Sequence, residues 1–226
     1  MTQSDAIFVI DDDLSTRQSV CELARSMGLD CYEFPSAEAF LQGRIDRPGC
    51  VVSDLLLPGM NGVELLEELG QRHEEIPLIL VTGHSHTALV VRALKAGAVT
   101  VLDKPCDFNQ LWDAMREGLE IDAQRRELRR QQDEIEQRLA RLSDKEQDVL
   151  RLIVAGKANK LIASKLGASI RTVENRRRNV FTKLGVRSVA ELVALVIKAR
   201  EQRAGLGDAA QDAAFLRRSS TAFSKN

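Results

Sequence analysis

No apolar run in the chain approaches the roughly 20 residues that a helix needs to cross a bilayer, so no membrane segment is expected. The first residues, Met1-Thr2-Gln3-Ser4-Asp5, lack the basic and apolar stretches of a secretory signal. Cysteine is scarce: Cys21, Cys31, Cys50 and Cys106 show no CxxC spacing. That excludes zinc-ribbon patterns and gives no sign of a disulfide framework. The expectation is a cytoplasmic protein with reduced thiols. Between Asp107 and Leu142 there is no glycine or proline except Gly118. That stretch reads as one long helix, with Ala114, Ile121, Leu128, Ile135 and Leu142 seven apart as a thin coiled-coil seam.

What is present is ordinary in bulk and uneven in layout. At 226 residues, 44% hydrophobic and 29% charged, the chain has the makings of one or two globular domains. Its net charge of −1 conceals two opposed halves. Residues 1–122 hold 9 Lys+Arg against 21 Asp+Glu, a net of −12, and residues 123–226 hold 23 against 12, a net of +11. The acidic half suits a cation site, and the basic half suits nucleic acid.

In the acidic half, short apolar runs alternate with amphipathic stretches of helical length. Ile7–Ile10, Cys31–Phe34, Cys50–Ser53, Leu78–Val81 and Val99–Leu102 read as strands. Val20–Met27, Val63–Leu69, Ala88–Ala96 and a stretch from about Leu111 read as helices. Alternation of this kind predicts a doubly wound parallel sheet of flavodoxin-like (βα)5 type, with strand order 2-1-3-4-5. The strand ends carry the chemistry. Asp11-Asp12-Asp13 closes the first strand and Asp54 the third; Thr82 ends the fourth, and Lys104-Pro105 follows the fifth. Ligands bind at the carboxyl ends of such strands. Each feature alone reads as a helix cap or a turn. Together they place a carboxylate cluster, a hydroxyl and an ammonium at one crevice, a site for a divalent cation and a phosphoryl group.

Residues 5–122 resemble the receiver domain of two-component response regulators, through Ile7–Asp12, Asp54-Leu55-Leu56-Leu57-Pro58-Gly59-Met60-Asn61-Gly62, Val81-Thr82-Gly83 and Lys104-Pro105. The resemblance implies that Asp54 accepts a phosphoryl group from a histidine kinase. It also implies that Asp11, Asp12, Asp54 and the Leu56 backbone carbonyl bind Mg²⁺. Thr82 is implied as the switch hydroxyl and Lys104 as the phosphoryl-pairing lysine, with a cis Lys104–Pro105 bond. Leu56 and His84 are expected to line the approach of water to the phosphoryl group. The family usually has Phe or Tyr where this chain has Val101. Valine is too small and too stiff for the inward rotation of that aromatic. This receiver is therefore expected to switch less completely, or by another route.

In the basic half, Ser143 and Glu146 match a capping box ahead of an apolar run. Helices follow at Ala158–Leu166, from Ser169 to Leu184, and from Ser188, punctuated by Gly156, Gly167 and Gly185. Four short helices with a tight turn describe a helix-turn-helix domain. Residues 142–200 resemble the LuxR/FixJ-type (NarL-type) DNA-binding domain, on Leu142–Glu146, Gly156–Ala163, Arg171–Glu174, Lys183–Val186 and Ser188. The resemblance implies Glu174, Asn175 and Arg178 facing bases of double-stranded DNA, and Lys160, Thr172 and Arg177 nearer phosphates. It also implies dimerisation through Val189, Leu192, Val193 and Val196.

The expected layout is therefore a receiver over 1–122, a helical linker over 123–141, an all-α DNA-binding domain over 142–201 and a disordered tail over 202–226. The leading reading is a transcriptional regulator that is not an enzyme, forming a homodimer on phosphorylation. Two alternatives stand beside it: a metal-dependent phosphohydrolase with a nucleic-acid-binding tail, and a DNA-binding protein whose receiver only dimerises. No general base is evident beside Asp54, which disfavours the first.

Overall fold

The computed structural model describes residues 5–43, 47–83 and 87–205. Five strands, β1 (Ala6–Ile10), β2 (Asp30–Phe34), β3 (Gly49–Asp54), β4 (Leu78–Thr82) and β5 (Thr100–Asp103), form one sheet in the order β2-β1-β3-β4-β5. All four pairings are parallel, as the alternation of apolar and amphipathic stretches predicts. Between them run α1 (Leu14–Ser26), α2 (Ala37–Gln42), α3 (Gly62–Gln71) and α4 (Thr87–Lys95), and after β5 comes α5 (Phe108–Ala140).

Side chains alternate across the strands, so the sheet carries a core on each face. Phe8, Ile10, Val51, Leu78 and Leu80 pack with Phe40, Leu65 and Leu69 from α2 and α3. Ile7, Val9, Cys50, Val52 and Ile79 pack with Cys21 and Ala24 of α1 and with Leu111 and Met115 of α5. The second core departs from one sequence expectation. Cys21 and Cys31 are joined as a disulfide with Cα atoms 5.4 Å apart. No CxxC spacing announces it, because the pair arises from α1 packing on β2 rather than from local sequence. Gly118, a weak core residue by composition, lies where α5 passes closest to β3: a Cβ there would stand 2.5 Å from Cys50 Sγ. Burial, with Asp122 nearby, pushes the Cys50 thiol pKa up.

Contacts divide the chain into compact units Met1–Glu127 and Leu128–Asn226, a boundary that falls inside α5. Along this 33-residue helix the heptad seam does not form one exposed stripe. Ala114 belongs to the receiver core and Leu142 to the core of the second unit, Ile135 is buried, and of the five only Leu128 is strongly exposed.

The second unit continues with α6 (Asp144–Val154), α7 (Asn159–Lys165), α8 (Ile170–Leu184) and α9 (Val189–Gly205). Ser143 and Glu146 make the expected capping box, and Ser169 caps α8 through the Thr172 N–H at 3.1 Å. Gly185 closes α8 at φ +68, a conformation that only glycine adopts without strain. Val149, Ile162, Val173, Val180 and Leu184 form the core. Leu192 and Val196 belong to it too. This corrects the expectation that both serve dimerisation: they are consumed within one chain, and of that set only Val189 and Val193 remain accessible. The expected disordered tail over 202–226 is corrected at its start, since 202–205 continue α9, and His84 and residues 206–226 lie outside the described residues.

Candidate functional site

The parallel register brings the ends of β1, β3 and β4 level, since Ile10 pairs with Ser53 and Asp54 with Val81. Asp11 therefore emerges beside Asp54. One carboxylate oxygen from each of Asp11, Asp12 and Asp54 lies within 4.8 Å of the others. Ligands around a small hard dication at about 2.1 Å lie at most about 4.2 Å apart, so modest side-chain rotation would gather these three. The cluster can bind a metal.

Lys104 crosses the same crevice. Its Nζ donates to Asp11 Oδ2 at 2.8 Å and to Asp54 Oδ2 at 2.5 Å. Burial opposes its charge, but the hydrogen bonds to Asp11 and Asp54 outweigh that, and its pKa is raised. A permanent ammonium thus faces the position of any anion bound at Asp54. The Lys104 N–H is bonded to the Thr82 carbonyl at 2.7 Å, and the Lys104–Pro105 bond is cis. Thr82 is fully buried at the end of β4. Val101, paired with Leu80 across β4 and β5, is half-buried against the core on the α3 side.

Backbone groups complete the pocket. The Leu56 N–H donates to Asp54 Oδ1 at 2.8 Å, while the Leu56 side chain is exposed beside it. Asp13 caps α1 by accepting from the Thr16 N–H at 2.7 Å, so the third aspartate of the island is committed to the helix. Two contributors escape sequence reasoning. Arg17 Nη1 donates to the Asp11 carbonyl at 2.6 Å, and Glu38 accepts from the Met60 N–H at 2.8 Å. Neither is signalled by spacing, because each depends on where a helix surface meets a loop.

In the second unit, Lys160, Glu174, Asn175 and Arg178 are exposed on α7 and α8. Thr172 and Arg177 are more tied. The Thr172 hydroxyl shares a 2.8 Å hydrogen bond with Ser169. Arg177 donates to Asn159 at 3.1 Å and lies over the Phe181 ring at 5.5 Å. Arg177 therefore links α8 to α7 as well as adding charge.

Glu146 anchors the same unit. It is buried, bonded to Lys183 at 2.6 Å and to the Ser143 N–H at 2.8 Å. Lys183, with Ser143, holds its carboxyl well below the usual value of 4.5, at about 2. A depressed carboxyl stabilises the fold above its unfolded pKa, and that stability is lost as pH falls from 4.5 through about 2. The Lys183 side chain is 38% exposed, so solvent screening limits the contribution to about 1–2 kcal/mol. Glu146→Gln is expected to lower the unfolding free energy at pH 7 by that amount and to flatten the acid limb. Urea titrations followed by helical circular dichroism at pH 7 and pH 3 check this; an acid limb as steep as wild type would refute it.

Among known families, the response regulator receiver domain matches residues 7–116, and the luxR family of bacterial regulatory proteins matches 140–196. The chain is 41% identical over 201 residues to the transcriptional regulatory protein FixJ of Azorhizobium caulinodans, covering 88% of this chain and 95% of that one. It is 39% identical to the nodulation protein W of Bradyrhizobium diazoefficiens, covering 83% of each. Among solved structures it is similar to the response regulator StyR, with a TM-score of 0.79 and 42% identity over 86% of this chain and 99% of that one. Full-length FixJ from B. japonicum gives 0.54 and 36%, over 88% and 99%.

Proposed function

The chain belongs to the response regulators that join a receiver domain to a LuxR-type DNA-binding domain, and on that premise we propose how its residues serve phosphorylation-controlled transcription regulation. Asp54 is the phosphoacceptor. Its carboxylate attacks the phosphorus of a phosphohistidine on a cognate kinase, forming a P–O bond as the P–N bond breaks and the imidazole leaves. Asp11, Asp12, Asp54 and the Leu56 carbonyl would hold Mg²⁺, which would supply charge neutralisation to the transferring group. Lys104 pairs with a phosphoryl oxygen as a point charge. The Thr82 hydroxyl donates to another and carries the switch into β4. The observation that supports this reading is Lys104 bridging Asp11 and Asp54 beside a third carboxylate.

The protein works in the cytoplasm as a regulator rather than as an enzyme turning over phosphoesters. Its receiver is assigned to residues 1–122, a linker to 123–141, the DNA-binding domain to 142–205 and a tail to 206–226. Glu174 and Asn175, about one turn into α8, and Arg178, a further turn on, face base edges in the major groove. Glu can accept from cytosine and Asn can pair with adenine. Lys160, Thr172 and Arg177 sit nearer phosphates. Phosphorylation favours a homodimer that binds paired half-sites, with Val101 weakening the coupling.

Light-scattering mass with Mg²⁺, with and without beryllofluoride as a phosphoryl mimic, tests the switch. A monomer-to-dimer shift is expected, and an unchanged mass would refute control by association. On a specific DNA site, Arg178→Ala is expected to weaken binding by about 1–3 kcal/mol. Equal loss on all sequences would refute base readout.

A further inference from the structure

The loop from Leu55 to Asn61 connects the acceptor strand to α3, and it must hold the Leu56 carbonyl still for that group to serve as a ligand. Its two ends are fixed locally. The Leu56 N–H is bonded to Asp54, the Gly62 N–H to the Leu55 carbonyl at 3.0 Å, and Asn61 caps α3 through Val63 and Glu64 at 3.0 Å. The apex, Pro58-Gly59-Met60, is held from another element. Glu38, in the first turn of α2, reaches across 22 residues of sequence and accepts the Met60 N–H on Oε1 at 2.8 Å.

The loop is shaped around this carboxylate. Gly59 turns at φ +82, and a Cβ there would stand 2.7 Å from Glu38 Oε1. Glycine thus meets a backbone requirement and a spatial one at the same residue. The bond from Met60, with the Glu38 N–H and Ser36, keeps the Glu38 carboxyl below its usual range, so it is ionised at neutral pH. A charged acceptor makes a stronger bond to a backbone N–H than a neutral one. Ser36 in turn caps α2 through the Ala39 N–H at 3.2 Å, and the buried Ala37 and Phe40 fix that helix on the sheet.

We propose that Glu38 is a positioning residue for the phosphorylation site: its carboxylate fixes the Gly59–Met60 peptide, and through it the Leu56 carbonyl, for cation binding and phosphoryl transfer. The proposal rests on the reading of Asp54 and Leu56 given above. Groups that orient ligands from outside the coordination shell commonly govern metal affinity. Glu38 touches no reacting atom, so its effect should be moderate and should depend on hydrogen-bond acceptance.

Calorimetric Mg²⁺ titration of the full chain, with the rate of phosphorylation by phosphoramidate, tests it. Loss of one hydrogen bond should raise the Mg²⁺ Kd and slow phosphorylation about three- to tenfold in Glu38→Ala. Glu38→Gln, which keeps an Oε1 acceptor, should recover most of both. Amide exchange at Met60 should accelerate in the alanine variant while β3 amides stay protected, which separates positioning from general unfolding. Wild-type Kd and rate in Glu38→Ala would overturn the proposal, and so would a Gln variant as impaired as Ala. Failure of the wild-type chain to bind Mg²⁺ or to accept phosphate would instead overturn the site reading itself.

Discussion

Asp54→Asn is expected to abolish phosphoryl uptake while leaving the fold intact. The substitution preserves shape and the Oδ1 acceptor that holds the Leu56 N–H at 2.8 Å. It removes the anionic oxygen that Lys104 contacts at 2.5 Å. An amide is not nucleophilic enough to form an acyl phosphate, so the chemistry stops even if Mg²⁺ still binds. Stability should change little, because two effects oppose each other. Losing the Lys104 contact costs an ion pair, yet removing one charge from the Asp11, Asp12 and Asp54 cluster relieves repulsion among the remaining carboxylates. Intact-mass analysis after incubation with phosphoramidate should show one added phosphoryl group on the wild type and none on the variant. The beryllofluoride-dependent mass shift should vanish with it. Any modified mass on Asp54→Asn would move the acceptor to another residue.

How much of this site was legible in the sequence follows from the kind of interaction involved. Asp11, Asp54, Thr82 and Lys104 are readable because each ends an apolar run, and a parallel sheet aligns strand ends whatever the loops between them do. Ser143 and Glu146 are readable because a capping box lies within a few residues of sequence. Glu38, Arg17 and the Cys21–Cys31 pair are not. Each joins a helix surface to a loop or strand, and the contact depends on crossing angles and side-chain rotamers that hydrophobic period leaves free. Leu192 and Val196 are dimer contacts by the family resemblance alone; their period of four marks an apolar stripe on α9 and does not say whether that stripe faces a second copy or its own core. Gly118 is hard to read for a related reason. Composition scores glycine as a gap in a seam, while the packing of α5 on β3 needs the absence of a Cβ.

Gly62→Ala should be a damaging small substitution at the acceptor site, against what helix propensity predicts. Gly62 is the first residue of α3, where alanine would ordinarily gain up to about 1 kcal/mol. Here the new Cβ would stand 2.4 Å from Leu80 Cδ2, 2.8 Å from the Asp54 carbonyl oxygen and 3.2 Å from Leu55 Cα. Leu80 is fully buried in β4 and has little room to yield. The other two contacts are backbone, so relief requires α3 to move away from the end of β3, straining the Gly62 N–H bond to the Leu55 carbonyl. Overpacking of this kind costs about 1–3 kcal/mol, and steric cost therefore exceeds propensity gain. Because the displaced peptide belongs to Asp54, function should suffer beyond stability, with phosphorylation slowed about tenfold for a misplacement well below 1 Å. Trp112 is the only tryptophan and packs in the receiver core beside α1, so its fluorescence follows unfolding of that unit alone. The Trp112 transition should move to lower urea by about 2 kcal/mol of unfolding free energy. The helical unit, whose core shares no residue with this one, should keep its own transition. A Trp112 midpoint equal to wild type would mean that α3 can slide on the sheet at no cost, and the tight seating of the acceptor strand against it would then be incidental to the site.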